Sequence, residues 1–270
     1  MSRIVIIIPV FYREHLEKAV RSVLANECDV ILVNDSAAPL EFAHPRVHIV
    51  ENNENLGVGI SRNRGVNAAL KGKYDFIGFV DSDSVITREW RGQCEHTLRD
   101  PKVIGVSGLA LNPNQKSRIA RVKFALKDYD RRGRIPFQID CSLFKPEVFS
   151  YSDFGSRRAG EDALFISKLD RTKLHVNEKA ISYHHEVASY RSFFKKEIVG
   201  ALLSLSTPFS VARSFLLTPL TCLKMLAKWK RLPEYPFASL IWLFRQLMWN
   251  MAYFLGRLAG LDVTHQRGRS

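Results

Sequence analysis

Four short apolar runs in the first third of the chain each end in polar residues, and this pattern constrains the fold more than any other feature. The runs cover residues 3–9, 29–33, 46–50 and 74–80. Short, nearly continuous apolar runs of this kind are typical of buried strands in a parallel sheet. Residues 13–25 and 55–70 have helical spacing of apolar residues. The order β-α-β-β-α-β predicts an α/β fold with a Rossmann-like, mostly parallel sheet.

The middle of the chain is less regular. The pattern predicts strands at residues 103–111 and 137–149, a helix at 161–169 and a strand pair at 173–183 that ends at His184-His185. The four cysteines are scattered and form no Cys-x-x-Cys pair, which argues against a zinc module and a redox dithiol. The first residues resemble a buried strand and not a secretory signal, so a cytoplasmic location is expected.

Residues 191–270 differ in character from the rest. They contain twelve basic and three acidic residues, and so carry nine of the thirteen net positive charges. Within residues 236–261, a narrow polar stripe crosses an otherwise apolar helical pattern, which favours an amphipathic helix lying in a membrane surface. A helical subdomain packed on the core and a transmembrane span are the alternatives. We therefore predict a domain at 1–190 and a basic, amphipathic helical region at 191–270.

Asp81-Ser82-Asp83 directly follows the apolar run that ends at residue 80. Two carboxylates at positions i and i+2, just past a strand, supply the oxygen ligands that hard divalent cations prefer. A cation held there would neutralise a substrate diphosphate and stabilise it as a leaving group. Because surface turns contain many such pairs, this motif alone is weak evidence of a metal site.

Other polar residues are expected at the same sheet edge, where ligands of open parallel sheets bind. Asp35 would accept a hydrogen bond from a nucleotide base, or cap a turn. Residues 55–65, which include Asn63 and Arg64, contain glycines at the basic start of a helix, and such a helix start suits a nucleotide diphosphate. The alternative is an ordinary helix entry without a ligand. One carboxylate of Glu161-Asp162 would serve as a general base, or compensate the helix N-terminus. His184-His185 would bind metal or diphosphate, or be structural.

Five segments occur in a fixed order: IVIIIPVFYRE, VILVNDSA, NLGVGISRNRG, FIGFVDSDS and GEDALFISKL. Together they resemble the family 2 glycosyltransferases of the GT-A fold over roughly residues 3–190. The resemblance implies an inverting enzyme that moves a sugar from a nucleoside-diphosphate sugar to an acceptor, with Mg²⁺ or Mn²⁺ as cofactor.

The resemblance also implies roles for individual residues. Those that would line the donor site are Pro9, Phe11, Arg13, Asp35 and Asp81. Asp83 would bind the metal, with Asp81 beside the metal or the ribose. Asp162 would be the catalytic base, and either His184 or His185 would contact the metal or the diphosphate.

Two segments depart from the family pattern and leave the donor open. Asn34-Asp35-Ser36-Ala37 stands where Asp-Asp-Gly-Ser is usual, and Phe11-Tyr12-Arg13 stands where Tyr-Asn is usual. The acceptor is expected to be lipid-linked or a cell-envelope glycan, with the enzyme peripheral to the cytoplasmic face of an anionic membrane, or cytoplasmic.

Two rival functions remain. A nucleotidyltransferase also combines an α/β fold, metal carboxylates and a nucleotide, but the first strand–helix turn lacks a glycine-rich Lys/Arg signature. A non-enzymatic membrane or nucleic-acid binder would leave the carboxylates unexplained. Because Leu, Phe and Trp alternate with the basic residues of the tail, lipid is favoured over nucleic acid, and no nucleic-acid partner is expected.

Overall fold

A computed structural model describes residues 2–111, 137–156 and 160–185, together with Leu240, Leu243, Phe244 and Leu247. The strands and helices described below belong to one compact unit formed by residues 1–113 and 135–186. Apart from those four positions, the C-terminal helical region predicted from the sequence lies outside the described residues. The predicted division at residue 190 therefore stays a prediction.

The described unit contains eight strands and four α-helices. The strands are β1 Ile4–Val10, β2 Asp29–Asn34, β3 Val47–Glu51, β4 Phe76–Val80, β5 Ser84–Ile86, β6 Gly105–Leu111, β7 Cys141–Phe144 and β8 Leu174–His184. The helices are α1 Leu16–Ala25, α2 Val58–Leu70, α3 Trp90–Leu98 and α4 Glu161–Ser167. None of the helices in the described part of the chain is long and apolar enough to cross a membrane.

All eight strands form one sheet in the order β3-β2-β1-β4-β7-β6-β8-β5. The first four strands in this order are parallel, and β6 is parallel to β8. β7 runs antiparallel between β4 and β6, and β5 runs antiparallel to β8. The antiparallel register places Val80 opposite Cys141 and Ser84 opposite His184. Residues that follow β4 therefore lie next to the residue before β7 and the end of β8.

Helices cover both faces of the sheet, which explains why β1 is apolar at nearly every position. Ile4, Ile6 and Ile8 pack in one hydrophobic cluster with residues of α1 and α3. Val5 and Ile7 pack on the opposite face in a second cluster with residues of α2 and α4. The two clusters give the α/β layered architecture that the sequence predicts.

Helix α2 lies unusually close to the sheet at Gly65. A Cβ atom at this position would come within 2.4 Å of Ile7 Cγ2 and 3.1 Å of Val33 Cγ2. Only glycine therefore permits the helix to approach β1 and β2 this closely. Arg62 precedes Gly65 by about one turn, so the close contact also fixes the distance of Arg62 from the sheet edge.

Some local predictions were wrong. The strand pair predicted at residues 173–183 is one continuous strand, β8 (Leu174–His184), which pairs with β6 on one side and with β5 on the other; Lys173 belongs to the preceding 3₁₀ turn. Of the strand predicted at 137–149, only β7 is extended, and Pro146–Ser150 forms a 3₁₀ turn. The sequence reading also missed α3 and the three-residue strand β5.

Candidate active site

The carboxyl ends of β1, β2 and β4 meet at one edge of the sheet, and a pocket opens there. Its lining residues are Pro9, Val10, Phe11, Tyr12, Asp35, Val58, Asp81, Ser82 and Asp83. Because parallel strands share direction, polar residues far apart in sequence come together at this edge. The structure thus brings together Pro9, Phe11, Asp35, Asp81 and Asp83, all predicted from the sequence.

Asp35 directly follows β2 and is 4% exposed. One carboxylate oxygen accepts hydrogen bonds from the Asn52 side chain (2.9 Å) and the Leu56 backbone N–H (2.8 Å). The other accepts from the Gly57 backbone N–H (3.0 Å). These bonds tie β2 to the loop that enters α2. A carboxylate offers about four acceptor sites, so capacity remains for a ligand N–H.

The segment after β1 combines exposed aromatic rings with an anchored arginine. Phe11 and Tyr12 are 45% and 74% exposed at the pocket, and their rings meet edge to face. Arg13 instead donates to the Ala38 carbonyl oxygen (2.5 Å) and the Ser36 hydroxyl (3.1 Å), among other acceptors of the loop after β2. In this structure Arg13 ties the segment after β1 to the loop after β2, and its predicted donor contact stays a prediction.

The side chains of Asn63 and Arg64 in α2 contact protein groups. Asn63 accepts from the Phe154 backbone N–H (3.0 Å) and donates to the Gly155 carbonyl oxygen (3.1 Å). Arg64 donates to the Asn52 side chain (3.0 Å), which in turn holds Asp35. Both residues position neighbouring parts of the site, and their predicted contacts with the donor stay predictions.

Asp81, Asp83 and His184 form a group whose potential ligand atoms all lie within 4.8 Å of one another. The two carboxylates flank the turn after β4, and His184 is the last residue of β8. The two carboxylates supply the oxygen ligands that Mg²⁺ and Mn²⁺ prefer, and the imidazole nitrogen is a further ligand that first-row transition metals accept. The donor set therefore fits a divalent cation.

His184 is held between carboxylates on both sides of its ring. Nδ1 lies 3.1 Å from Asp140 Oδ2 and 3.0 Å from Ser84 Oγ, whereas Nε2 lies 3.6 Å from Asp83 Oδ2. Removal from water opposes the positive charge, but the Asp140 hydrogen bond and the charges of Asp83 and Asp140 raise the pKa of His184 to about 9. A cation and a proton therefore compete for this ring.

His185 faces away from the metal-capable group. Its ring stacks on His15 at a centroid distance of 4.6 Å, and its backbone N–H donates to the Asp83 carbonyl oxygen (2.8 Å). Desolvation and the neighbouring His15 lower its pKa. Between the two histidines that the sequence left open, the geometry favours His184 as the cation ligand, and His185 braces the turn that carries Asp83.

Arg62 in α2 lies at the centre of three carboxylates. Its guanidinium donates to Glu161 Oε1 (2.8 Å), to Asp81 Oδ1 (3.0 Å) and to Asp162 Oδ1. The Arg62 side chain is 2% exposed. Arg62 thus links the end of β4 to the start of α4, and its positive charge offsets repulsion among the acidic groups.

Of the two adjacent carboxylates, only Asp162 reaches solvent to a large extent. The side chains of Glu161 and Asp162 are 9% and 45% exposed. Partial removal from water raises the pKa of Asp162 to about 7; Arg62 opposes this rise, and the charges of Glu161 and Asp81 add to it. A carboxylate that titrates near neutral pH and reaches solvent is suited to accept a proton.

The sequence reading missed Arg62 and Asp140. Arg62 had a usable signal, because it is a charged residue on the helix face that also presents Gly65 and Val66 to the sheet. Asp140 had none, since its importance depends on the antiparallel register of β7.

An α/β sheet whose carboxyl edge combines an open pocket, paired carboxylates and a separate candidate base is typical of a group-transferring enzyme. The family model for glycosyl transferase family 2 matches residues 5–152, more than half of the chain. The chain belongs to this family and is a glycosyltransferase. The expected GT-A fold is likewise confirmed by the match and by the sheet.

Two solved structures are similar to this chain at low sequence identity. Glucosyl-3-phosphoglycerate synthase from Mycobacterium tuberculosis, solved with Mn²⁺, UDP and phosphoglyceric acid, is 13% identical with a TM-score of 0.51, over 75% of this chain and 77% of that chain. TarS 1–349 from S. aureus is 15% identical with a TM-score of 0.49, and the match spans 76% of this chain but 66% of that one. No curated protein matches the sequence significantly.

Proposed function

We propose that the enzyme transfers a sugar from a nucleoside-diphosphate sugar to an acceptor hydroxyl or phosphate, with inversion. The observation that carries this proposal is the convergence of Asp81, Asp83 and His184 beside the pocket at the carboxyl edge of the sheet. The similar fold of the M. tuberculosis synthase, solved with Mn²⁺ and UDP, supports the same donor class.

The nucleoside would occupy the part of the pocket formed by β1 and β2. Phe11 and Tyr12 offer exposed rings for stacking on the base. The remaining acceptor capacity of Asp35 suits a base N–H, and Asn52 and Gly57 keep its carboxylate fixed. Because its shape is set by protein contacts, this part of the site is organised before the donor binds.

The diphosphate would lie near Asp83, Asp81 and His184, which would hold the divalent cation. When bound, the cation neutralises the charge that develops on the departing diphosphate. Arg62 holds Asp81 by a hydrogen bond of 3.0 Å, so the carboxylate keeps a fixed orientation toward the pocket. Such preorganised groups make a large contribution to catalysis because they need no rearrangement during the reaction.

Asp162 would accept the proton of an acceptor hydroxyl. Its Oδ1 is bound to Arg62, which fixes the carboxylate at the start of α4 while the side chain remains accessible. An acceptor phosphate is already ionised and needs no base. The size of the effect of removing Asp162 therefore reports on the acceptor class.

Asp83→Asn is expected to abolish the Mn²⁺-dependent stabilisation of the protein by its nucleotide. Thermal unfolding of the unaltered enzyme with UDP, GDP or dTDP and Mn²⁺ should show a raised Tm for one of them. A ligand at a hundredfold excess over its Kd stabilises the native state by ~2.7 kcal/mol. Asp83 is partly exposed, so the variant should unfold normally without ligand.

Glu178→Gln is a matched control, because it removes one exposed carboxylate of β8 away from the site. It should keep the full nucleotide-dependent shift. An Asp83→Asn protein that retains the same Mn²⁺-dependent shift would contradict the metal assignment. With the donor known, release of nucleoside diphosphate supports sugar transfer, whereas release of pyrophosphate would indicate nucleotidyl transfer.

We further propose that the enzyme is peripheral to the cytoplasmic face of an anionic membrane and acts on a lipid-linked or cell-envelope glycan acceptor. Leu240, Leu243, Phe244 and Leu247 are helical, and each is at least 39% exposed. Their spacing of i, i+3, i+4 and i+7 places them on one helix face. The basic excess of residues 191–270 adds attraction to anionic lipid. Nucleotide sugars are cytosolic compounds, which favours the cytoplasmic face.

Replacing both Leu243 and Leu247 with glutamate is expected to weaken binding to anionic vesicles by about tenfold or more, because the apolar contact is lost. Co-sedimentation with phosphatidylcholine vesicles, with and without phosphatidylglycerol, measures the effect. Binding of the unaltered protein should require the anionic lipid and weaken with salt.

Leu70→Glu is the control for this experiment, since Leu70 is 47% exposed at the end of α2 in the enzymatic unit. It should bind vesicles as the unaltered protein does. If the unaltered protein stays in the supernatant at low salt, both the membrane location and the lipid-linked acceptor lose their support.

A further inference from the structure

Asp140 directly precedes β7 and belongs to none of the five sequence segments that characterise the family. The antiparallel register of β4 and β7 pairs Val80 with Cys141. The residue after β4 and the residue before β7 therefore lie at the same edge of the sheet. The pairing of β4 with β7 thus places Asp140 beside the metal-capable group, and its side chain is only 18% exposed.

The two nitrogens of the His184 ring face different partners. Nδ1 contacts Asp140 Oδ2 at 3.1 Å and Ser84 Oγ at 3.0 Å. Nε2 points to the opposite side, 3.6 Å from Asp83 Oδ2. The pairing of β5 with β8 sets Ser84 opposite His184, so the sheet itself fixes this orientation.

An ionised carboxylate only accepts hydrogen bonds, so the contact with Asp140 requires a proton on Nδ1 of His184. A neutral ring protonated at Nδ1 has its lone pair on Nε2, which is the nitrogen beside Asp83. Histidines that bind metals in proteins commonly donate their other N–H to a carboxylate, which fixes the ring and increases its basicity.

We propose that Asp140 is a positioning residue that orients His184 and directs its Nε2 toward the cation held with Asp81 and Asp83. This inference rests on the proposed metal site and adds a residue to it. Asp140 acts through His184 and does not itself bind the cation. A purely structural Asp140–His184 ion pair would affect folding stability but not the nitrogen ligand of the metal.

Mn²⁺ serves as the probe, with two readouts that do not depend on turnover. The paramagnetic resonance signal of free Mn²⁺ gives the Kd of the full-length protein. Electron spin-echo modulation from a directly bound ¹⁴N reports whether the His184 ring is a ligand. Unaltered enzyme should show this modulation, and His184→Gln should remove it.

Asp140→Ala is expected to raise the Kd for Mn²⁺, within a range of about 10–100-fold and near its upper end, and to reduce the ¹⁴N modulation. Asp140→Asn keeps an acceptor oxygen without the charge, so it should lie near the tenfold end. Glu178→Gln should match the unaltered protein. Thermal unfolding without metal checks that each variant folds, and if Asp140→Ala does not fold, Asp140→Asn decides the question.

Unchanged Mn²⁺ affinity and unchanged modulation in the folded Asp140 variants would overturn the role of Asp140. If His184→Gln still abolished the modulation in that case, the proposed metal site would stand. Failure of the unaltered enzyme to bind Mn²⁺, with or without nucleotide, would instead overturn both the metal site and the role of Asp140.

Discussion

Asp162→Asn is expected to lower kcat by about 10²–10⁴-fold while the affinity for the nucleoside diphosphate stays nearly constant. The substitution removes the proton acceptor but retains a side chain of the same shape, next to Arg62. Single-turnover assays with the identified donor and acceptor measure the chemical step, and titration with nucleotide measures the affinity. A small loss of kcat with intact binding would indicate an acceptor phosphate.

The pH dependence provides a second test of the same assignment. The pKa of Asp162 is raised to about 7, and a general base must be deprotonated to work. The rate should therefore rise as the pH increases through about 7 and level off above it. Asp162→Asn should eliminate this rise in its residual activity.

Asp170→Asn is a matched control, because Asp170 is an exposed aspartate that caps the 3₁₀ turn after α4 and asparagine caps equally well. This variant should retain both the rate and its pH profile. Loss of nucleotide affinity in Asp162→Asn, in parallel with the loss of rate, would contradict a role as base and indicate a donor contact.

Arg62→Met is expected to lower the free energy of unfolding by about 3 kcal/mol. Methionine fills much of the same space but leaves three carboxylates without their shared positive charge. The loss of the positive charge costs most at Glu161, because its side chain is the least exposed of the three. Urea unfolding at neutral pH measures the change. The difference from the unaltered enzyme should shrink as the pH falls toward about 7, because Arg62 lowers the pKa of Asp162 and, without it, this carboxylate takes up a proton at a higher pH.

The control is Arg64→Met, which makes the same chemical change two residues along the same helix. Arg64 is exposed and donates one hydrogen bond to Asn52. Its replacement should cost about 1 kcal/mol. Equal losses in the two variants, or a loss at Arg62 that does not depend on pH, would contradict the electrostatic explanation.

The strands and helices of the first eighty residues could be predicted because their signals are local. Each parallel strand is a compact apolar run, and each flanking helix has apolar residues on one face. Helix α3 was missed since its sequence is polar at most positions. Its buried residues Trp90, Cys94 and Leu98 are spaced four apart, which is a signal that a closer reading would detect. Strand β5 has three residues, too few for any pattern.

The sequence predicts which strand-end residues belong to the site, but it does not predict which of them contact one another. Asp35, Asp81 and Asp83 follow apolar runs, and the parallel sheet brings them together. The choice between His184 and His185 depends on which face of β8 each side chain occupies, and only the pairing with β5 fixes that register. The helix pattern places Arg62 on the sheet-facing side of α2, but its carboxylate partners come from distant segments, and no local pattern predicts which ones they are.

The two contacts that complete the site, Arg62 with Asp162 and Ser84 with His184, each span 100 positions of the chain. The segment that matches the family model ends at residue 152, before α4 and β8. During synthesis, the pocket edge formed by β1, β2 and β4 therefore leaves the ribosome well before Asp162 and His184. Asp81 and Asp83 emerge with this edge, whereas Asp162, the proposed base, and His184, the third proposed cation ligand, follow later. A chain that stops at residue 152 would therefore lack both the proposed base and the proposed histidine ligand.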